Sequence, residues 1–125
     1  MLSHVSLGVT DLERSQSFYD AALGALGMVR LFRTESCLGY GPPGGEDRLA
    51  LFRQVTPDRP LPAGAGFHLA FEAPDQEAVD AFHAAALRSG GRNEGRPGLR
   101  PHYGKSYYAA FVIDPDGHKL EAVHQ

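Results

Sequence analysis

Three side chains in this sequence have metal-binding chemistry and stand at positions that repeat: His4, His68 and Glu121. The two histidines are 64 residues apart. The segments they open, SHVSLGVTDLERSQSFYDAAL (3–23) and FHLAFEAPDQEAVDAFHAAAL (67–87), align without a gap. Asp75 falls on Asp11, Glu77 on Glu13, Phe82 on Phe18, Ala85 on Ala21, Ala86 on Ala22 and Leu87 on Leu23. A second alignment, RLALFRQ (48–54) on KLEAVHQ (119–125), sets Leu120 on Leu49 and Glu121 on Ala50. Two neutral imidazoles and one carboxylate make a facial ligand set for iron(II), manganese(II), zinc or nickel, with open positions for substrate or water. Taken singly, each residue has a blander reading, a solvated strand histidine or an exposed strand carboxylate. Their agreement under one repeat favours the metal.

The elements that must position these residues follow from periodicity. Val5, Leu7 and Val9 alternate with His4, Ser6 and Gly8, as in a half-buried strand. Thr10 and Glu13 read as a capping box for a helix carrying Leu12, Phe18, Tyr19, Ala22, Leu23 and Leu26. Residues 28–33, 37–41 and 48–54 read as three further strands. The second half repeats the order: a strand from Phe67, a helix from Asp75, a weakly marked strand within 91–100, and strands over 107–113 and 118–124 joined by the turn DPDG. The predicted fold is α+β, two tandem βαβββ modules (1–56 and 67–125) joined by the linker 57–66. Large apolar side chains of each opening strand face a helix, so His4 and His68 face the other way, among small neighbours. Two curled mixed sheets would line a metal-binding cup with that face, Glu121 included and Ala50 where a fourth polar group would stand.

A second tier of candidates lies in RSGGRNEGRPGLRPHYGKSYY (88–108), where four arginines and a lysine face one acid, Glu94. Arg100, His102 and Lys105 are nearest the following strand and suit an anionic substrate group, Arg100 by bidentate contact. Tyr103 and Tyr107 can stack on a substrate or donate to it, while at least one of Tyr107 and Tyr108 is packing. His102 is also a candidate general base, the one catalytic candidate in the set. His118 and His124 are expected at the surface, and Cys37 is expected to be an inert buried thiol.

The whole chain limits the alternatives. Its 125 residues suit one compact domain, and a net charge of −3 does not favour nucleic acid. One cysteine excludes an internal disulfide, and neither a leader nor a membrane-length apolar run is evident, so a cytoplasmic protein without membrane partners is expected.

The histidine-led openings, with the closing stretch AAFVIDPDGHKLEAV (109–123), resemble the vicinal oxygen chelate superfamily of glyoxalase I, extradiol dioxygenases, and fosfomycin- and bleomycin-resistance proteins. That resemblance implies His4, His68 and Glu121 as ligands of a divalent metal ion, a small-molecule substrate and a homodimer, whose sites in some members draw strands from both chains. Glyoxalase I generally adds a carboxylate at the place of Ala50, so the resemblance leans toward dioxygenase-like or epoxide-opening, transferase-like chemistry. The competing function is a metal-free protein that sequesters a drug or metabolite, as bleomycin-resistance members do.

Overall fold

The computed structural model describes residues 1–55 and 60–125. The end of the first module at residue 56 and linker residues 57–59 lie outside the described residues. Ten elements follow in order: β1 (Val5–Val9), α1 (Leu12–Gly24), β2 (Val29–Arg33), β3 (Cys37–Gly41), β4 (Leu49–Arg53), β5 (Leu69–Glu72), α2 (Gln76–Arg88), β6 (Arg92–Leu99), β7 (Tyr108–Ile113) and β8 (Lys119–His124). This is βαβββ twice, with the faintly marked strand present as the eight-residue β6. Both histidines stand one residue ahead of their strands.

Each module forms a four-stranded mixed sheet, ordered β1-β4-β3-β2 in the first and β5-β8-β7-β6 in the second. The first and last strands of each module pair in parallel, and the remaining pairs are antiparallel. Register fixes the faces. Ser6 pairs with Ala50, and Ala50 with Gly39, while Ala70 pairs with Glu121, and Glu121 with Phe111. Leu7, Val9, Leu38, Tyr40, Leu49 and Leu51 join Phe18, Tyr19 and Leu23 of α1 in the core. Val112, Leu120 and Ala122 join Val79, Phe82 and Ala86 of α2, and the two helices pack on each other. A helix covers one face of each sheet, leaving the other face available for function.

Three details depart from the sequence expectations. Asp11, not Thr10, caps α1: its carboxylate accepts from the Arg14 amide at 3.1 Å, as Asp75 does from Ala78 at 2.7 Å in α2. Thr10 is used elsewhere, its amide and hydroxyl both donating to Asp116 Oδ1, at 3.2 and 2.7 Å. Nor is His118 at the surface. It is buried against the first module, and its Nε2 donates to the Gly8 carbonyl. His124 is partly buried and donates from Nδ1 to the Ala73 carbonyl at 3.0 Å. The DPDG turn is thus a clasp between modules, with Asp114 accepting from the Tyr19 hydroxyl at 2.6 Å and Asp116 from Arg14 at 3.1 Å. Among the described residues no helix is long and apolar enough to cross a membrane.

Candidate functional site

Glu121 is the most informative residue of the open face. β8 alternates, so Leu120 and Ala122 enter the core and Glu121 turns to the uncovered side, yet it is only 2% exposed. A carboxylate leaves water at a cost unless its oxygens are satisfied, and here both are. Oε2 accepts from His68 Nε2 at 2.8 Å, and Oε1 accepts from the Tyr107 hydroxyl at 2.5 Å. The phenol–carboxylate distance is that of a charge-assisted bond. Partial burial, then the hydrogen bond and the charge of Glu121, push the Tyr107 phenol up to about 12, so it keeps its proton through the physiological range. His68 remains partly open to solvent and offers the accessible side of the pair.

Phe111, opposite Glu121 on β7, forms the next wall. The His68 ring meets it edge-on at 5.8 Å between centroids. Arg100 Cζ lies 5.6 Å from the centre of the same ring and Lys119 Nζ lies 5.1 Å from it. Arg100 is held in place by its own neighbourhood, Nη1 donating to the Gly98 carbonyl at 2.9 Å and Nη2 to the Arg96 carbonyl at 2.7 Å. The Tyr103 ring lies tilted against Tyr107 at 5.3 Å between centroids, and His102 against Tyr103 at 4.2 Å, with Tyr103 and His102 both exposed. Lys105 is exposed, with no carboxylate within ion-pair distance among the described residues. Tyr108 is the packing member of its pair, reaching Asp80 of α2 at 2.7 Å. Phe111 and Lys119 were absent from the sequence-derived set. Their signal was parity: Tyr107, Phe111, Lys119 and Glu121 all fall on the open-face alternation of their strands.

The three candidate metal ligands do not all meet within one chain. His68 and Glu121 are in contact, whereas His4 is exposed, its Nδ1 near Ser3 Oγ at 3.2 Å. It lines a shallow pocket with Val5, Arg48, Leu69, Ala70 and Phe71, where the start of β1 approaches β5. Among the described residues, no group of three His, Cys, Asp or Glu side chains converges as a metal site. Ala50 is buried on the open side of the first sheet, between Ser6 and Gly39 in register. Exposed Phe32 and Phe52 share that sheet with it.

The sequence pattern of the Glyoxalase/Bleomycin resistance protein/Dioxygenase superfamily matches residues 1–122. The chain belongs to that superfamily. It is 32% identical to the lactoylglutathione lyase of Salmonella typhimurium, an alignment covering 98% of this chain and 90% of the lyase. Among solved structures, a glyoxalase/bleomycin resistance protein from Albidiferax ferrireducens T118 superposes with a TM-score of 0.86 at 41% identity, covering 100% of this chain and 99% of that one. A glyoxalase I variant from Zea mays superposes at 0.70 with 27% identity, but this chain spans only 45% of it. For a member of the glyoxalase superfamily, the residues on the open face of the second sheet are the ones whose chemistry needs explaining.

Two groups on that face, His68 and Glu121, have the spacing of neighbouring metal ligands. Two ligand atoms at right angles around an ion with bonds of about 2.1 Å stand about 3 Å apart. His68 Nε2 and Glu121 Oε2 have nearly that separation, 2.8 Å. The proton between them is one that a metal would displace. The Tyr107 hydroxyl on the other carboxylate oxygen is the kind of outer partner that orients a ligand.

Proposed function

We propose that the chain is a divalent-metal-dependent enzyme acting on a small molecule with two neighbouring oxygens. His68 and Glu121 would be two ligands, and His4 of a second copy the third. The observation that carries this reading is the buried Glu121 carboxylate held 2.8 Å from His68 on a face otherwise kept open. A homodimer is supported by the separation of His4 from the pair and by the exposed Phe32 and Phe52 on the first sheet, which a second copy would cover. A bound ion would serve as a Lewis acid, polarising substrate oxygens. The chain's own contributions are distinct. Tyr107 orients Glu121 and retains its proton, Phe111 excludes water from one side, and Arg100, Tyr103 and His102 border the approach. His102, exposed beside Tyr103, is the group available to take up a proton from substrate.

Ala50 favours a reaction that needs three protein ligands. Ring-opening dioxygenation or nucleophilic opening of an epoxide fits this set better than glyoxalase I isomerisation. The lyase relatives, at 32% identity, speak for the superfamily's chemistry in general terms.

Metal analysis of protein purified without added metal tests the reading. Wild type is expected to hold about one ion per chain, and His4→Ala, His68→Ala and Glu121→Ala each to lose it. Mixing His4→Ala with Glu121→Ala chains should restore one site per heterodimer, because one chain supplies His4 and the other His68 and Glu121. Unchanged metal content in all three variants would defeat this reading, and wild type purified without any metal would leave the metal-free sequestering function as the better account.

A further inference from the structure

Phe111 gathers more positive charge than a structural ring needs. Arg100 and Lys119 both lie against it, at 5.6 and 5.1 Å from its centre, and His68 approaches its edge. Neither cation has a carboxylate within ion-pair distance among the described residues. Lys119 even shares strand and face with Glu121, two residues away, while Glu121 is taken by His68 and Tyr107. Placing two like charges about one ring is unfavourable unless something negative joins them.

Local structure keeps Arg100 there. A Cβ at Gly95 would stand 3.3 Å from Arg100 Nη2 and 3.0 Å from the Phe111 ring, and one at Gly98 3.3 Å from Nη1. The two glycines therefore clear the path along which the arginine folds back from the end of β6. The two carbonyls of Gly98 and Arg96 then fix its guanidinium. Those two bonds use two of five N–H donors, leaving three for a ligand. An arginine held by neutral carbonyls on an aromatic support keeps its full charge and is already ordered, which lowers the entropic cost of binding.

We propose that Arg100 and Lys119, assembled on Phe111 beside His68 and Glu121, form an oxyanion subsite, so that the ligand of this site carries a carboxylate or phosphate. Describing that ligand as the substrate rests on the proposed function, but oxyanion binding itself does not require a metal. Arg100 supplies directional paired donors and Lys119 a mobile point charge from the other strand.

The test is titration of the protein with inorganic phosphate and, separately, with acetate at constant ionic strength set by chloride. Amide shifts of Gly95, Gly98 and Phe111 are followed by NMR. Wild type should saturate with one anion class more tightly than the other, phosphate indicating a phosphorylated ligand and acetate a carboxylic acid. Arg100→Gln and Lys119→Gln should each weaken binding about tenfold, the loss of one charge-assisted contact. Arg30→Gln, which breaks an ion pair with Asp20 on the first module, should leave it unchanged. Absence of saturation by either anion in wild type, or wild-type affinity in both subsite variants, overturns the proposal. Metal content measured on the same samples separates the two ideas. Metal without oxyanion binding removes the subsite alone, and oxyanion binding without metal removes the metal-dependent function alone. Circular dichroism of each variant keeps a folding defect from being read as lost binding.

Discussion

His118 Nε2 lies 2.7 Å from the carbonyl oxygen of Gly8, although the two residues are 110 positions apart. A carbonyl only accepts, so the donor nitrogen is Nε2. The bond is one of several that lock the closing hairpin of the second module onto the opening strand of the first. His118 is 4% exposed, so no solvent can replace it.

His118→Ala should therefore destabilise the protein by about 1–3 kcal/mol, the cost of a buried acceptor left without its donor. Urea unfolding read by circular dichroism measures it. Tyr19→Phe should fall in the same range, because the Tyr19 hydroxyl donates to the buried Asp114 carboxylate. Asp114 retains its backbone donors Asp116 and His118, which limits the loss. A change below about 0.5 kcal/mol in both variants, the ordinary range for inconsequential surface sites, would mean that the clasp is not a stabilising contact.

Packing on the open face of the first sheet gives a second prediction. A Cβ at Gly39 would lie no farther than 2.7 Å from three carbons of the Phe32 ring. Gly39→Ala must displace that ring, and about 1–3 kcal/mol is the usual cost of overpacking. Phe32 is 39% exposed and has somewhere to go, so the fold should survive. In Phe32→Ala the clash has no partner. The double variant should be more stable than the sum of the single effects predicts, by at least about 0.5 kcal/mol. Thermal or urea unfolding of the four proteins completes the cycle, and strict additivity would show that the ring does not press on Gly39.

Much of this arrangement was legible in the residues themselves. Alternation in KLEAVH placed Leu120 inward and Glu121 outward, and the offset repeat paired His68 with His4 and Glu121 with Ala50, as the register of both sheets bears out. What could not be read was convergence. A repeat makes His4 and His68 equivalent within their modules without bringing both to one point, because that depends on how modules face each other. His118 was misjudged for a related reason: beside a DPDG turn it looks solvent-facing, and only the docking of that turn on β1 buries it. The cap of α1 was misplaced because Thr10 and Asp11 are both good capping residues, and the long-range pull of Asp116 on Thr10 decides between them.

The Tyr107 phenol supplies a pH prediction. Its value rises from an ordinary 10 to about 12, chiefly through burial and then through the bond to Glu121. Between those values the unfolded chain has released this proton while the folded chain still holds it. Stability is therefore full below pH 10 and falls as pH rises through 12. Tyr19 and Tyr40, also raised by burial and carboxylate partners, push in the same direction. Tyr107→Phe should consequently flatten, without abolishing, the loss of stability above pH 10 in a series of urea melts. An alkaline profile identical to wild type would mean that the phenol is not bound to Glu121 in solution.

The last prediction concerns Ala50, the residue that the internal repeat aligns with Glu121. Ala50 is 4% exposed and surrounded in register by Ser6 and Gly39, so a longer side chain has small neighbours on both sides. Ala50→Glu would bury a carboxylate with no cation near it, which is costly in the metal-free state. If Ala50 of one chain faces His68 and Glu121 of the other, a metal ion removes that cost by taking the new carboxylate as a fourth ligand. The variant should melt below wild type in chelator and gain more than wild type when manganese, zinc or nickel is added, since a ligand bound only by the folded state stabilises it in proportion to its affinity. Equal metal-induced shifts in the two proteins, measured by thermal unfolding at matched free metal, would place Ala50 away from the metal centre. The three-ligand assignment would then lose its explanation for the missing fourth.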